Sequence, residues 1–412
     1  MTKVKIELTL LALLACVSSQ GLAIPIFGQN LQELSTFSKE YTTTGANSSV
    51  NGSVMTGGVG TTGAGGSISG DFTAVGAITI GGVSATTGKV ASVGGNMTSG
   101  GVLTTGDSST VGGDITAGGA ATVGANGAVG GNMAAAGVVT TGAASQVAGN
   151  IEAGGAATVG AGASVDGTVY SVGAFTDTNS TPQTSAVITS NPVDAATLVA
   201  GLINTVEGNK DQILAAQLAF SQMVTDVVLN ATMPADLTLV SGVYWAPSFA
   251  TTASTTLTLD GQNLIDQYWV FNIGDILKMG GLSKIVMVNG ANSDSVIWNA
   301  GGYADFGDGS SFLGTLLATK YVHVGANAKA LGPGNSCGGL FSAKSYVKTG
   351  DAAQIGGDGC MGIASGFHVD TQGVAYFQTS AIEEPATWIL FVTSLALLGL
   401  SMRRKKVYRV AA

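Results

Sequence analysis

The sequence predicts a mainly β chain, a β-solenoid with one long α-helix packed alongside. Three observations carry that prediction. From Asn51 to Val165 the sequence repeats itself every 18 residues. Glycine supplies 63 of the 412 residues and charged side chains only 10%, a composition of glycine-rich corners and small apolar strands. One stretch of helical spacing follows the repeat, and short β-patterned runs return after it. A fixed period near 20 marks units that bury their apolar faces only by stacking on their neighbours.

The ends read as address labels. Lys3 and Lys5, the apolar run from Leu8 to Val17 and the small-residue site Gly21-Leu22-Ala23 predict a signal peptide over 1–23. Cys16 after Leu13-Leu14-Ala15 leaves a lipoprotein signal as the alternative. At the other end, Glu383-Glu384-Pro385-Ala386-Thr387-Trp388 precedes an apolar run from Ile389 to Leu400 and the basic cluster Arg403-Arg404-Lys405-Lys406. The run is short for a spanning helix, and the basic cluster holds the tail on the cytoplasmic side. This ending, 385–412, resembles the PEP-CTERM sorting signal of exported bacterial proteins, with Glu383 where the first proline of the motif is expected. The resemblance implies an exosortase-type processing enzyme as partner, transient membrane anchorage, and release to the cell envelope or extracellular space.

Residues 24–50 form a lead-in, expected to cap the solenoid, with Leu31, Leu34 and Phe37 as a short helix-like apolar set. The ladder of 51–171 follows. Its second unit is 25 residues long, which places a small loop after Thr79. Eighteen residues divide into three short strands per coil, and successive coils should stand about 4.7 Å apart. The fourth position (Val54, Phe72, Met97, Ile115, Met133, Ile151) and the last (Ile68, Val93, Val111, Val129, Val147, Val165) point inward, as do positions ten and twelve. Position eleven then faces out. It is Thr61, Thr79, Thr104, Thr122, Thr140 and Thr158, threonine in every unit. Two residues earlier on the same face stand Val59, Ala77, Val102, Ala120, Val138 and Ala156.

Residues 172–193 read as a linker through Thr176-Asp177-Thr178-Asn179-Ser180-Thr181-Pro182. A helix is expected over 194–231, with Ile213, Ala216, Phe220, Met223, Val224 and Val227 on one stripe and Gly208-Asn209 dividing it. A second β-helix half is expected over 232–370, built from runs such as Thr256-Leu257-Thr258-Leu259-Asp260-Gly261 that end in Gly, Asn or Asp, and a spacer over 371–384. If Cys16 leaves with a signal peptide, Cys337 and Cys360 remain, and an even count in an exported chain favours a disulfide between them over two free thiols.

Several function classes fall away. The chain carries a net charge of −9, and its arginines, Arg403, Arg404 and Arg409, all lie in the tail; nucleic acid needs a basic footprint that is absent. His323 and His368 lack partners at triad spacing, and no HExxH is present. Gly58-Val59-Gly60-Thr61-Thr62-Gly63 fits a dinucleotide motif in letters only, with no helix after it. Thr87-Gly88-Lys89-Val90 lacks the glycine and hydroxyl of a phosphate loop. Asp305 and Asp308 lack calcium-loop spacing and read as a solvated turn. No enzyme, cofactor or metal site is expected.

From Ser241 onward the order of motifs becomes specific. SGVYW, STTLTLDGQ, YWVFNIG, SKIVMVNGA, SVIWNAGG and SSFLGTLLATKYVHVGANA follow a helix ending AAQLAFSQMVTD. This order resembles the ice-binding-like β-helix family over about 212–330, while the 18-residue ladder looks like that of bactofilin-type polymers. The family resemblance implies a right-handed β-helix with the long α-helix along one side, and ice as the partner. A rigid wall would set threonine hydroxyls and methyls about 4.7 Å apart between coils and alternate residues about 6.7 Å apart along a strand, close to the spacing of water on ice faces. The threonine methyl limits χ1 and so fixes the hydroxyl. Equally, threonine is a favoured exposed strand residue, and repeat duplication alone yields such a row. The family often forms its ice face from later coils, which adds Thr256, Thr258 and Thr315 as candidates. The expectation is an exported ice-binding or ice-adhesion-like surface protein; the alternatives are a structural or adhesive matrix solenoid and, least favoured, a polysaccharide-cleaving β-helix enzyme.

Overall fold

The structure, a computed structural model, describes residues 24–179, 183–291, 295–331, 339–356 and 366–378. Three sheets of 15, 14 and 13 strands, all paired in parallel, run the length of one solenoid. Each 18-residue unit gives one strand to each sheet: Met97–Ser99, Leu103–Thr105 and Thr110–Val111 are one coil. The period becomes register, since Met97 lies beside Ile115, Ile115 beside Met133 and Met133 beside Ile151. The four inward positions read from the repeat are buried throughout the ladder. A fifth is buried too: Ala74, Ser99, Ala117, Ala135 and Ala153 are fully covered, small because a second strand turns there. The longer unit absorbs its extra residues in a loop over 81–91 and recovers register at Val93, which pairs with Ile68.

Two local devices close the corners. Coils approach so tightly that a Cβ on Gly112 would stand 2.2 Å from the carbonyl oxygen of Gly94, so glycine is required there. Where sheet bonding lapses, a side-chain carbonyl on one coil accepts the backbone N–H of the next. Asp71 accepts from Asn96 at 2.7 Å, Asn96 from Asp114 at 2.9 Å, Asp114 from Asn132 at 2.6 Å and Asn132 from Asn150 at 2.8 Å. The corner backbone thereby keeps its donors paired.

Residues 24–50 do not cap the solenoid. After a single-turn helix α1 (Gln29–Gln32), the strands Leu34–Ser38, Thr42–Thr44 and Ser49–Val50 form a complete coil in mid-stack. One side pairs with the ladder and the other with Leu340–Ser342, Val347–Thr349 and Gln354–Ile355. The ladder grows from this seam to one end, the chain returns along the outside, and the second half grows from the far end back to the seam. The predicted linker is likewise partly coil, since Phe175–Asp177 and Ser185–Val187 add the last strands of the ladder. The expected spacer contains the strand Ala375–Phe377, which with Phe367–Val369 and Ile24–Pro25 forms a small antiparallel sheet.

The return path is helix α2, Ala195–Ser221, 27 residues long and so about 40 Å. The Asp194 carboxylate caps it by accepting the N–H groups of Ala196 and Thr197. Gly208-Asn209 does not divide it, and it ends ten residues before the expected 231. The β-branched pair Val227–Val228 opens the first coil of the second half beside Tyr244–Trp245, and the Asp226 carboxylate accepts the Val243 N–H at 2.8 Å. Val224 and Val227 therefore leave the helical stripe and are exposed. Under the helix, Trp269–Ile273, Val296–Ala300 and Thr315–Ala318 are buried at every position, because the core covers one face and α2 the other. Asn272 donates to the carbonyl of Phe220 at 2.8 Å, Asn299 donates to that of Gln217 at 2.9 Å, and Gln217 donates to Ala300 and Leu317.

Candidate functional site

The 14-stranded sheet carries the threonines. Register places Thr61, Thr79, Thr104, Thr122, Thr140 and Thr158 in one outward row. The row is longer than the repeat predicted, for Thr43 joins it beside Thr61 and Thr176 beside Thr158. Eight coils give a line of about 33 Å at the usual strand spacing. The backbone positions these side chains from beneath: on either side of each threonine from Thr43 to Thr158 an inward residue is buried in the core, as Leu103 and Thr105 are around Thr104. Thr61 donates a hydrogen bond to Thr43 at 3.1 Å. Beside the row Val59, Val102 and Val138 are between 42% and 47% exposed, so the face alternates methyl-only and hydroxyl-bearing side chains with no charge.

That chemistry stops at the seam. Past Thr43 the same outward row reads Lys348, His323, Asp305, Lys278, Ala250 and Thr232. His323 is not isolated: its Nδ1 lies 2.9 Å from Asp305 Oδ1. Asp308 accepts the Ala326 N–H at 2.8 Å, which is a corner cap. Alongside runs a ladder of stacked rings, Tyr303 on Tyr321 at 4.5 Å, Tyr321 on Tyr346 at 5.1 Å and Tyr346 on Tyr41 at 4.7 Å. Burial and the neighbouring tyrosines push the Tyr321 hydroxyl above its ordinary pKa. The signal for both features is the period itself, since Asp305 and His323, like Tyr303 and Tyr321, are one 18-residue step apart.

The other threonine candidates divide. Thr315 is 4% exposed and lies beneath α2, so it belongs to no surface. Thr256 and Thr258 are half-buried on the 13-stranded sheet, where Thr258 lies between Thr238 and Val286, and Thr256 beside Lys284. Cys337, Cys360 and both terminal signals lie outside the described residues. Among the described residues no helix is long and apolar enough to cross a membrane, and no group of three or more His, Cys, Asp or Glu side chains is placed to hold a metal.

Residues 171–352 match the model of the Ice-binding-like family. Ice-binding protein 1 of Shewanella frigidimarina is 35% identical over 98 residues, 24% of this chain and 11% of that protein. An ice-binding protein of a Leucosporidium species is 35% identical over 88 residues, 21% of this chain and 32% of that protein. The chain thus spans between about a tenth and a third of the curated relatives it matches. Among solved structures, a domain of the Shewanella frigidimarina protein aligns with 81% of this chain and 97% of its own at 16% identity and a TM-score of 0.38. The ice-binding protein of the Antarctic ascomycete Antarctomyces psychrotrophicus aligns over the same shares at 13% identity and 0.40. The stretch matched by the Ice-binding-like family model, 171–352, contains the motifs from Ser241 onward that carry the resemblance.

Proposed function

We propose that the protein binds ice without enzymatic chemistry, through the uncharged wall of the 14-stranded sheet. The observation that carries the reading is the eight-threonine row, in register from coil to coil and edged by valine and alanine. The ice-binding names of the relatives support it. A flat array of fixed hydroxyls and methyls orders a water layer that merges with the crystal, whereas the charged second half of the same sheet holds water in hydration shells of its own. The site residues are Thr61, Thr79, Thr104, Thr122, Thr140 and Thr158, with Thr43 and Thr176 at the ends.

The family match itself lies mostly beyond the ladder, and that favours one competing surface, the 13-stranded sheet around Thr256 and Thr258. One experiment separates them. Ice recrystallisation inhibition and crystal shaping are measured for the parent, for Thr104→Tyr/Thr122→Tyr/Thr140→Tyr, and for Thr256→Tyr/Thr258→Tyr, with folding checked by circular dichroism. Loss in the first variant alone is the expected result; loss only in the second moves the site to the other sheet. No activity in a well-folded parent turns the reading to a structural or adhesive matrix solenoid.

Export to the cell surface, with the tail over 385–412 as a transient anchor removed by an exosortase-type enzyme, completes the proposal. Tryptophan-fluorescent fusions fractionated with and without the tail test it: a chain lacking 385–412 should leave the membrane fraction.

A further inference from the structure

The geometry points to a cation site where α2 crosses the seam coil, and we propose that it takes one hydrated divalent ion, calcium by its oxygen donors. A cavity of about 270 Å³ opens there, lined by Asn30, Glu33, Asp71, Thr73, Thr205 and Asn209 among others. Asn209 is only 1% exposed. Its Nδ2 donates to Met55 Sδ at 3.3 Å, but its buried Oδ1 has no donor among the described residues. An unmade bond of that kind in a native core calls for a ligand or an ordered water. Thr205 and Asn209 are four residues apart and share one helix face, and both line the same cavity as the two carboxylates.

Charge selects what fills the space. The Asp71 carboxylate spends one oxygen on the Asn96 N–H, and neither it nor Glu33 takes part in an ion pair among the described residues. The lysines of these elements are turned elsewhere, Lys39 and Lys210 lying 2.7 and 2.6 Å from the Glu207 carboxylate. The lining offers two carboxylates, an amide carbonyl and hydroxyls, with no cation and no imidazole or thiolate. Hard oxygen donors disfavour zinc and copper. The cavity exceeds a bare ion, so waters complete a coordination of six to eight oxygens, which calcium accepts more readily than magnesium. Bound there, the ion would tie α2, the seam coil and the coil of Asp71 together.

The test uses the full chain stripped with chelator, and it is independent of any ice activity. Calcium chloride is titrated calorimetrically, and thermal unfolding is followed with and without about 5 mM calcium, a level that fills extracellular-type sites. The expected result is one saturable site and a calcium-dependent rise in Tm, by mass action on the folded state. Glu33→Gln/Asp71→Asn should weaken binding at least about tenfold, because affinity follows ligand charge. Asn209→Asp should lower Tm without calcium and strengthen calcium binding. No saturable heat with a calcium-independent Tm in the parent overturns the proposal. So does a Tm rise that survives in the double variant, which would place the ion elsewhere.

Discussion

Glu207 holds two lysines at once, and its titration is accordingly displaced. Hydrogen bonds from Lys210 and then Lys39 take its carboxyl from the ordinary 4.5 down to about 2. A carboxyl with a depressed folded value stabilises the fold fully above its unfolded pKa, and the contribution is lost as pH falls through the folded one. Glu207→Gln should therefore lower Tm slightly at pH 7 and not at pH 2, with the difference disappearing between about 4.5 and 2. The effect should also shrink with added salt, because the group is exposed and screened; an equal Tm loss at both pH values would refute the pairing. At this scale the sequence was unevenly legible. The six threonines were placed by period alone, but Thr43 was hidden because its coil lacks the Gly-Gly corner that marks the ladder, although Thr44-Gly45 keeps the other half of the signature. Asp305 and His323 look unrelated when Asp305 is set against calcium-loop spacing and His323 against triad spacing, rather than both against the repeat.

Between elements, the contact of α2 with its sheet joins an apolar cluster that includes Val206, Ile213, Ala216 and Phe220 to a set of buried amides. Asn299 is 6% exposed and donates both to the Gln217 carbonyl and to Asn272 Oδ1. Asn299→Leu leaves both acceptors without that donor in a largely buried contact, and should cost about 1–3 kcal/mol in urea unfolding. A change below a few tenths of a kcal/mol would mean that the helix is held by packing alone. Helical spacing correctly located this element and its buried Ile213, Ala216 and Phe220. It overran the C-terminus because Met223, Val224 and Val227 continue the period while Val227–Val228 already belongs to a strand. Local propensity outweighed periodicity there, and the sheet edge of Tyr244–Trp245 decided it.

At the scale of the whole molecule, the stack ends at two sheet edges without a further paired strand among the described residues, and the ladder end is defended against self-pairing. Asp177 stands at an inward position, in register with fully buried Val159. Nearby, Gln183 Oε1 accepts the Val165 N–H and Asn179 Oδ1 that of Gly162. An inward charge and side-chain caps are standard protection for an exposed edge. Asp177→Val should consequently promote concentration-dependent association in sedimentation experiments, and a variant that sediments like the parent would show that the caps suffice. Composition and period foretold the solenoid; they did not foretell that its two halves close on each other. Nothing in 24–50 announces a partner coil more than 300 residues away, because strand pairing between distant segments leaves no local spacing to read. That separation has a temporal side. Gly45 donates to Thr349 across 304 residues, so at ribosomal speeds of 5–20 residues per second the seam edge waits about 15–60 s for its partner. During that interval the earliest finished coil presents an unpaired sheet edge, open to pairing with another chain until the last coil arrives.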